Sequence, residues 1–186
     1  MSAPVIQVDD LLKTIVTLGG RRPETAWSGD LDPLFRELAA PRPRQPPQDV
    51  ENAIWSAWGS HPDKAIEQRL ELATRAIARA DYARARRLLD PLIEAWPAWP
   101  EPWNKRATLS YLQGRDAECF RDILEVLQRE PRHFGAICGF AQVCLRRGER
   151  NAALAAFEVA LGIHPHLDGV RAAVEDLRES LSHSLH

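Results

Sequence analysis

From about residue 66 onward, apolar residues recur at helical spacing and are punctuated at fixed intervals by proline and by very small residues. Pro97, Pro131 and Pro165 lie 34 residues apart, and so do Gly114 and Gly148, with Ala80 in the equivalent place. Ala73, Ala107 and Ala141 keep the same interval, as do Ala85, Cys119 and Ala153. Four residue classes on one period predict a repeated structural unit. Within each unit a first helix ends at a small residue, where the chain turns tightly and glycine costs least. A second helix follows, and proline ends it because it cannot extend the hydrogen-bond ladder. The small residues mark close helix crossings, and larger apolar residues fill the space around them. One such hairpin cannot bury its apolar side alone. The predicted fold is therefore all-α, an α–α superhelix of three stacked hairpins spanning 66–99, 100–133 and 134–167.

The flanks extend this plan. In 168–186 the stretch from about Leu167 to Ser182 places Val170, Ala173, Val174, Leu177 and Leu181 on one helix face, suited to a C-terminal cap. In 1–47 a helix over Val8 to Leu18 is broken by Gly19-Gly20-Arg21-Arg22-Pro23, and a short helix covers Asp32 to Ala39. The four prolines between Pro41 and Pro47 predict an extended linker. The segment 48–65 carries another helix, Asp49 to Trp58, with Ile54, Trp55 and Trp58 apolar, expected to pack on the first hairpin as an N-terminal cap. Pro91 falls inside the second helix of the first hairpin, where it removes a hydrogen bond to the Arg87 carbonyl and should kink the helix.

Charge and chemistry change this picture little. A net charge of -2 gives no long-range attraction for nucleic acid, and the clusters Arg84, Arg86, Arg87 and Arg146, Arg147, Arg150 have acids nearby in sequence. No run approaches the roughly 18 apolar residues that cross a bilayer, and Lys13 interrupts the apolar start, so neither a membrane span nor a secretory signal is expected. The three cysteines include no Cys-x-x-Cys pair. Cys119 and Cys144 fall in packing slots, while Cys138 faces the first-helix side and is the less settled of the three. His133, His164 and His166 lie in turns, and His183 and His186 near the chain end, with no metal-ligand spacing. No phosphate loop, dinucleotide fingerprint or nucleophile elbow occurs, so no catalytic residue, cofactor or metal is assigned. Trp96, Trp99 and Trp103 cluster with Pro97, Pro100 and Pro102. A platform for proline-rich or carbohydrate ligands would look similar, but a packed hinge between hairpins is preferred. Arg106 occupies an apolar slot and must be paired, with Asp122 or Glu130 as partner, or reach solvent along its stem.

The 34-residue pattern resembles the tetratricopeptide repeat over about 66–167. The third unit matches at Ile137, Phe140, Ala141, Cys144, Ala153, Phe157, Ala160 and Pro165; the second departs at Arg106 and Ser110, the first at Arg69. Beyond the repeats, the chain resembles small alphaproteobacterial members of that family. The resemblance is carried by Trp103-Asn104-Lys105-Arg106-Ala107-Thr108 and by Glu130-Pro131-Arg132-His133-Phe134-Gly135-Ala136. Upstream it is carried by Leu34-Phe35-Arg36-Glu37-Leu38 and Ile54-Trp55-Ser56-Ala57-Trp58. The resemblance implies that the first helices line a concave groove. Its lining would include Glu67, Leu70, Thr74, Glu101, Asn104, Thr108, Tyr111, Cys138, Gln142 and Arg146.

Few of these positions are charged, and a basic carboxylate clamp of the chaperone-tail type is missing apart from Asn104 with Lys105 nearby. The expected role is a non-catalytic adaptor that takes a partner peptide or helix in the groove, with neither nucleic acid nor membrane as partner. The alternative is a self-capped or homo-oligomeric protein whose N-terminal segment, apolar from Val5 to Leu18, fills the groove of its own chain or a neighbour. An unrecognised enzyme is the least favoured reading. The expected compartment is the cytoplasm, or the periplasm if the start lies upstream, since members of the resembling group often look secreted.

Overall fold

The computed structural model describes residues 7–24 and 27–183. Val5 and Ile6 of the apolar N-terminal segment, and His186, lie outside the described residues. Ten α-helices and no strands are present among the described residues. Three precede the repeats: α1 (Val8–Leu18), α2 (Asp32–Leu38) and α3 (Pro47–Gly59). The hairpins are α4 (Lys64–Ala78) with α5 (Tyr82–Ala95), α6 (Pro100–Leu112) with α7 (Asp116–Arg129), and α8 (Phe134–Arg146) with α9 (Arg150–Ile163). The last helix is α10 (Asp168–His183). None is long and apolar enough to cross a membrane.

The 34-residue period holds at single-residue resolution. Second helices begin at Tyr82, Asp116 and Arg150 and end two residues before each periodic proline, at Ala95, Arg129 and Ile163. The turns inside the hairpins place Ala80, Gly114 and Gly148 at φ 57°, 70° and 78°. That conformation costs a residue with a Cβ roughly 1–2 kcal/mol, so Ala80 carries strain that its two glycine counterparts avoid. In all three turns the N–H that follows reaches back to an equivalent carbonyl: Asp81 to Ala76, Arg115 to Ser110 and Glu149 to Cys144, at 2.8–2.9 Å. The small residues are buried as the period requires, and so are Leu89, Ile123 and Phe157 beside them. Pro91 lies on the exposed side of α5, which continues past it to Ala95.

The core falls into two parts. One fills the first hairpin with Ile66, Leu70, Leu89 and Leu92, joined by Trp99 and Leu109. The other runs through the remaining hairpins, α10 and the N-terminal helices. Between them sits Arg106. Its guanidinium donates two bonds to Asp122, at 2.9 and 2.8 Å, and a third to Asp90 of the preceding hairpin at 2.9 Å. The expected ion pair with Asp122 is present, and Asp90 extends it across the hairpin interface; Glu130 instead bonds Arg132. Burial pushes the Asp122 carboxyl up, and the bonds from Arg106 oppose that rise.

The N-terminal helices wrap the stack rather than prolong it. α1 packs on α9 and α7, burying Leu11 and Ile15 on the second-helix side. The described part of the apolar N-terminal segment therefore lies outside the groove. α3, expected to close the outer flank of the first hairpin, instead crosses the turns that join the hairpins. Val50, Ile54 and Trp58, spaced four apart on one face, are fully buried there. Leu72, on the first hairpin, is left 40% exposed. The physical reason is that the joining turns present aromatic rings, at Trp99, His133 and Phe134, which match this face better than the arginine-bearing flank of α4 does.

Arg106→Leu should destabilise the fold by about 3–5 kcal/mol, because it leaves Asp122 buried without its partner. Arg106→Leu with Asp122→Leu should recover most of that loss. Urea unfolding of the two variants checks this, and equal losses in both would contradict it.

Candidate protein-binding groove

The site is built where α3 meets the first helices. The indole of Trp58 stacks on the His133 ring, with centroids 4.0 Å apart and planes at 12°, and its carbonyl accepts the Trp99 indole N–H at 2.7 Å. Trp55 meets His133 and Phe134 edge to face. It also lies over Gly135 so closely that a Cβ there would overlap its ring. Lys105 lies 5.5 Å from the Trp55 centroid. Farther along, Glu51 accepts from His164 Nε2 at 3.1 Å. One helix thus bridges all three joining turns.

Beneath it is a buried polar cluster. The His133 Nδ1 accepts the Ala136 N–H at 3.1 Å, as an N-cap does, so the ring donates through Nε2 to Glu101, also at 3.1 Å. Lys105 (2.8 Å) and Asn104 (3.3 and 3.4 Å) complete the surroundings of that carboxylate, which is 2% exposed. Burial alone would raise the Glu101 carboxyl, but the bonds from His133 and Lys105 outweigh it and hold the group below the ordinary 4.5. A second anchor joins α2 to the same turn. Arg132 bonds Asp32 at 2.7 Å and Glu130 at 3.0 Å, and lies 4.2 Å above the Phe35 ring.

The predicted lining residues separate into two groups. Leu70, Glu101 and Asn104 are buried, and Cys138 is half-buried, close enough to Glu51 to feel its charge. Thr74, Thr108, Gln142 and Arg146 are exposed, with Glu67 and Tyr111 half-exposed. All of these open residues except Arg146 line two hollows, the larger of them beside α3. The larger, about 510 Å³, lies between α3, α4 and α6 and includes Trp55, Glu67, Leu70, Thr74 and Lys105. The smaller, about 140 Å³ and mainly apolar, lies between α6 and α8. Ala107 and Ile123 line it, with Asn104, Thr108, Tyr111 and Gln142. Arg146 spans the gap between hairpins by stacking 4.3 Å from the Tyr111 ring and bonding its carbonyl at 2.7 Å. Glu67 is turned toward Lys64 and the His61 N–H.

The candidates for chemistry are mostly buried among packing residues. Burial pushes all three thiols up to about 12, so they are protonated near neutrality. Among the described residues, no group of histidines, cysteines and carboxylates is arranged to hold a metal ion. Of the tryptophans at the hinge, Trp99 is fully buried; Trp103 stacks with Arg106 and Arg129 and bonds the Pro97 carbonyl. Sequence reasoning did not find the α3 seat. The available signal was that Trp99, His133 and Leu167 share the 34-residue period and mark the joining turns.

Repeated helical hairpins with small residues at the crossings and prolines after each second helix define a helical-repeat solenoid. No family model matches the chain. A protein of Rhizobium etli described as a TPR repeat-containing protein is 33% identical over 152 residues, covering 82% of this chain and 74% of that protein. The chain belongs to the tetratricopeptide-repeat family, with a relative in an alphaproteobacterium.

The buried groups set a pH dependence. Burial lowers His164 below the ordinary 6.5, partly offset by Glu51, so the unfolded chain binds that proton more readily. Its contribution is whole above pH 6.5 and is lost as pH falls through the lowered folded value. Glu101, held below 4.5, contributes above 4.5 and loses that contribution at lower pH still. Urea midpoints measured downward from pH 8 should fall in two stages. His164→Gln should flatten the first and Glu101→Gln the second; unchanged profiles would refute the assignment.

Proposed function

We propose that this protein acts by binding, taking an extended segment of a partner protein along the groove of α4, α6 and α8, with α3 as its second wall. The observation that carries the reading is the 140 Å³ apolar hollow between α6 and α8, rimmed by the Gln142 amide and by Thr108 and Tyr111, with the buried Asn104 in its wall. Such a hollow fits one apolar side chain, while amides and hydroxyls suit the backbone on either side of it. Membership of a repeat family whose members commonly bind proteins supports the same reading. Asn104 already donates to Glu101, and Lys105 bonds the same carboxylate, so neither is free to clamp a terminal carboxylate of a chaperone tail. Binding takes place without catalysis, in the cytoplasm, or in the periplasm if the chain is exported.

A second reading has a specific basis, since α3 already covers Glu101 and approaches Cys138. In it α3 is an occupant that competes with the partner rather than a wall that helps hold it. Gly135→Ala separates the two, because the added methyl forces Trp55 away and loosens α3. Tighter partner binding with faster hydrogen exchange in α3 would mark an occupant; weaker binding with the same exchange would mark a wall.

The groove itself is tested by replacing Asn104, Tyr111 and Gln142 with alanine. Crosslinked affinity capture from lysate of the native organism should lose the partner, with binding weakened about 100-fold or more and the helical content retained. Undiminished capture would remove the groove from consideration.

A further inference from the structure

We propose that the chain associates with copies of itself head to tail, the outer flank of the first hairpin docking on the exposed acidic face of α10 of the next molecule. The association uses neither hollow beside α6, although Asp176 and Glu179 stand in the slots of Gln142 and Leu145 on the groove side, and it stands whether or not those hollows bind a partner. Comparison between hairpins shows what the outer flank of the first one lacks. Ile137 and Phe140 of α8, in the slots held by Arg69 and Leu72 in α4, are fully buried, and Phe140 contacts Phe120 of the preceding hairpin. Glu118, in the slot of Arg84, bonds Arg86 of the preceding hairpin at 2.9 Å. Arg147, in the slot of Arg79, lies 5.7 Å over the Phe120 ring. The slots of Leu72, Arg79 and Arg84 therefore face the preceding hairpin in the stack. Among the described residues no hairpin precedes the first one, and α3 lies elsewhere. Arg69, Arg79 and Arg84 are exposed around the 40%-exposed Leu72 and make no ion pair among the described residues.

The exposed surface of α10 is complementary in charge. α10 starts 34 residues after α8, as the first helix of a fourth unit, and within the described residues no second helix follows it. Glu175 stands in the slot that Ala73, Ala107 and Ala141 fill where a second helix covers them. It is exposed, as are Asp176 and Glu179, and none of the three side chains has an ion-pair partner among the described residues. Three unpaired arginines around a leucine at one end thus meet three unpaired carboxylates at the other. This complementarity favours a second copy over nucleic acid, whose backbone would have to approach a chain of net charge -2. The contact joins two different surfaces, so it is heterologous and need not close at a dimer.

The test is sedimentation equilibrium of the full chain over a range of concentrations at low and high salt. At low salt the weight-average mass should rise with concentration to about twice the monomer value or more, and return to monomer at about 0.5 M salt. Arg69→Glu with Arg84→Glu should stay monomeric, and so should Glu175→Lys with Glu179→Lys. An equimolar mixture of the two double variants should associate again, because each supplies the end the other has lost. All four positions are exposed, and circular dichroism verifies that both variants fold. A monomer at every concentration and salt, or a mixture that stays monomeric, would overturn the proposal. So would a wild-type chain that remains monomeric but binds an oligonucleotide through the same arginines.

Discussion

Everything in this molecule follows from the inability of a two-helix hairpin to cover its own apolar flank. A hairpin of about 30 residues buries too little surface to stand alone, so each unit relies on the flank of the next. The period of 34 expresses that demand: alanine or cysteine where helices cross, and a left-handed residue at each inner turn. The first hairpin, preceded by no other among the described residues, exposes Leu72, whereas the third buries Phe140 completely in the same slot.

The interface between the first two hairpins meets the demand by unusual means. Arg106 stands where an apolar residue packs in the third hairpin, and the two parts of the core separate there. The bidentate bond to Asp122 and the further bond to Asp90 satisfy the guanidinium in a partly dry setting. A buried ion pair adds little stability over apolar packing, but losing one partner is costly. The pair ties α6 to α7 within the second hairpin, and the bond to Asp90 is the one that crosses to the first.

The N-terminal helices explain why the phrases resembling the alphaproteobacterial group occur together. Phe35 lies against Arg132, Trp55 lies against Lys105, His133, Phe134 and Gly135, and Trp58 stacks on His133. Segments far apart in sequence are two halves of one seat. α3 flanks the larger of the two hollows, and the open positions of the groove are mostly uncharged: the hydroxyls of Thr74, Thr108 and Tyr111 and the amide of Gln142.

The sequence by itself determined the all-α class, the 34-residue spacing of the turns and helix stops, and that Arg106 requires a partner or a path to solvent. These properties arise from local rules that repeat every 34 residues: helical periodicity, proline at a stop, a residue without bulk where helices touch. The placement of α1 and α3 was decided only in three dimensions. An amphipathic helix on a proline-rich tether declares that it has an apolar face but not which surface will receive it. Val50, Ile54 and Trp58 could have covered the flank of α4; the choice went to the aromatic joining turns, whose rings become neighbours only after the hairpins have stacked. The same reason hid the burial of Glu101 and the half-burial of Cys138, since a groove position is open or closed according to what a distant segment does.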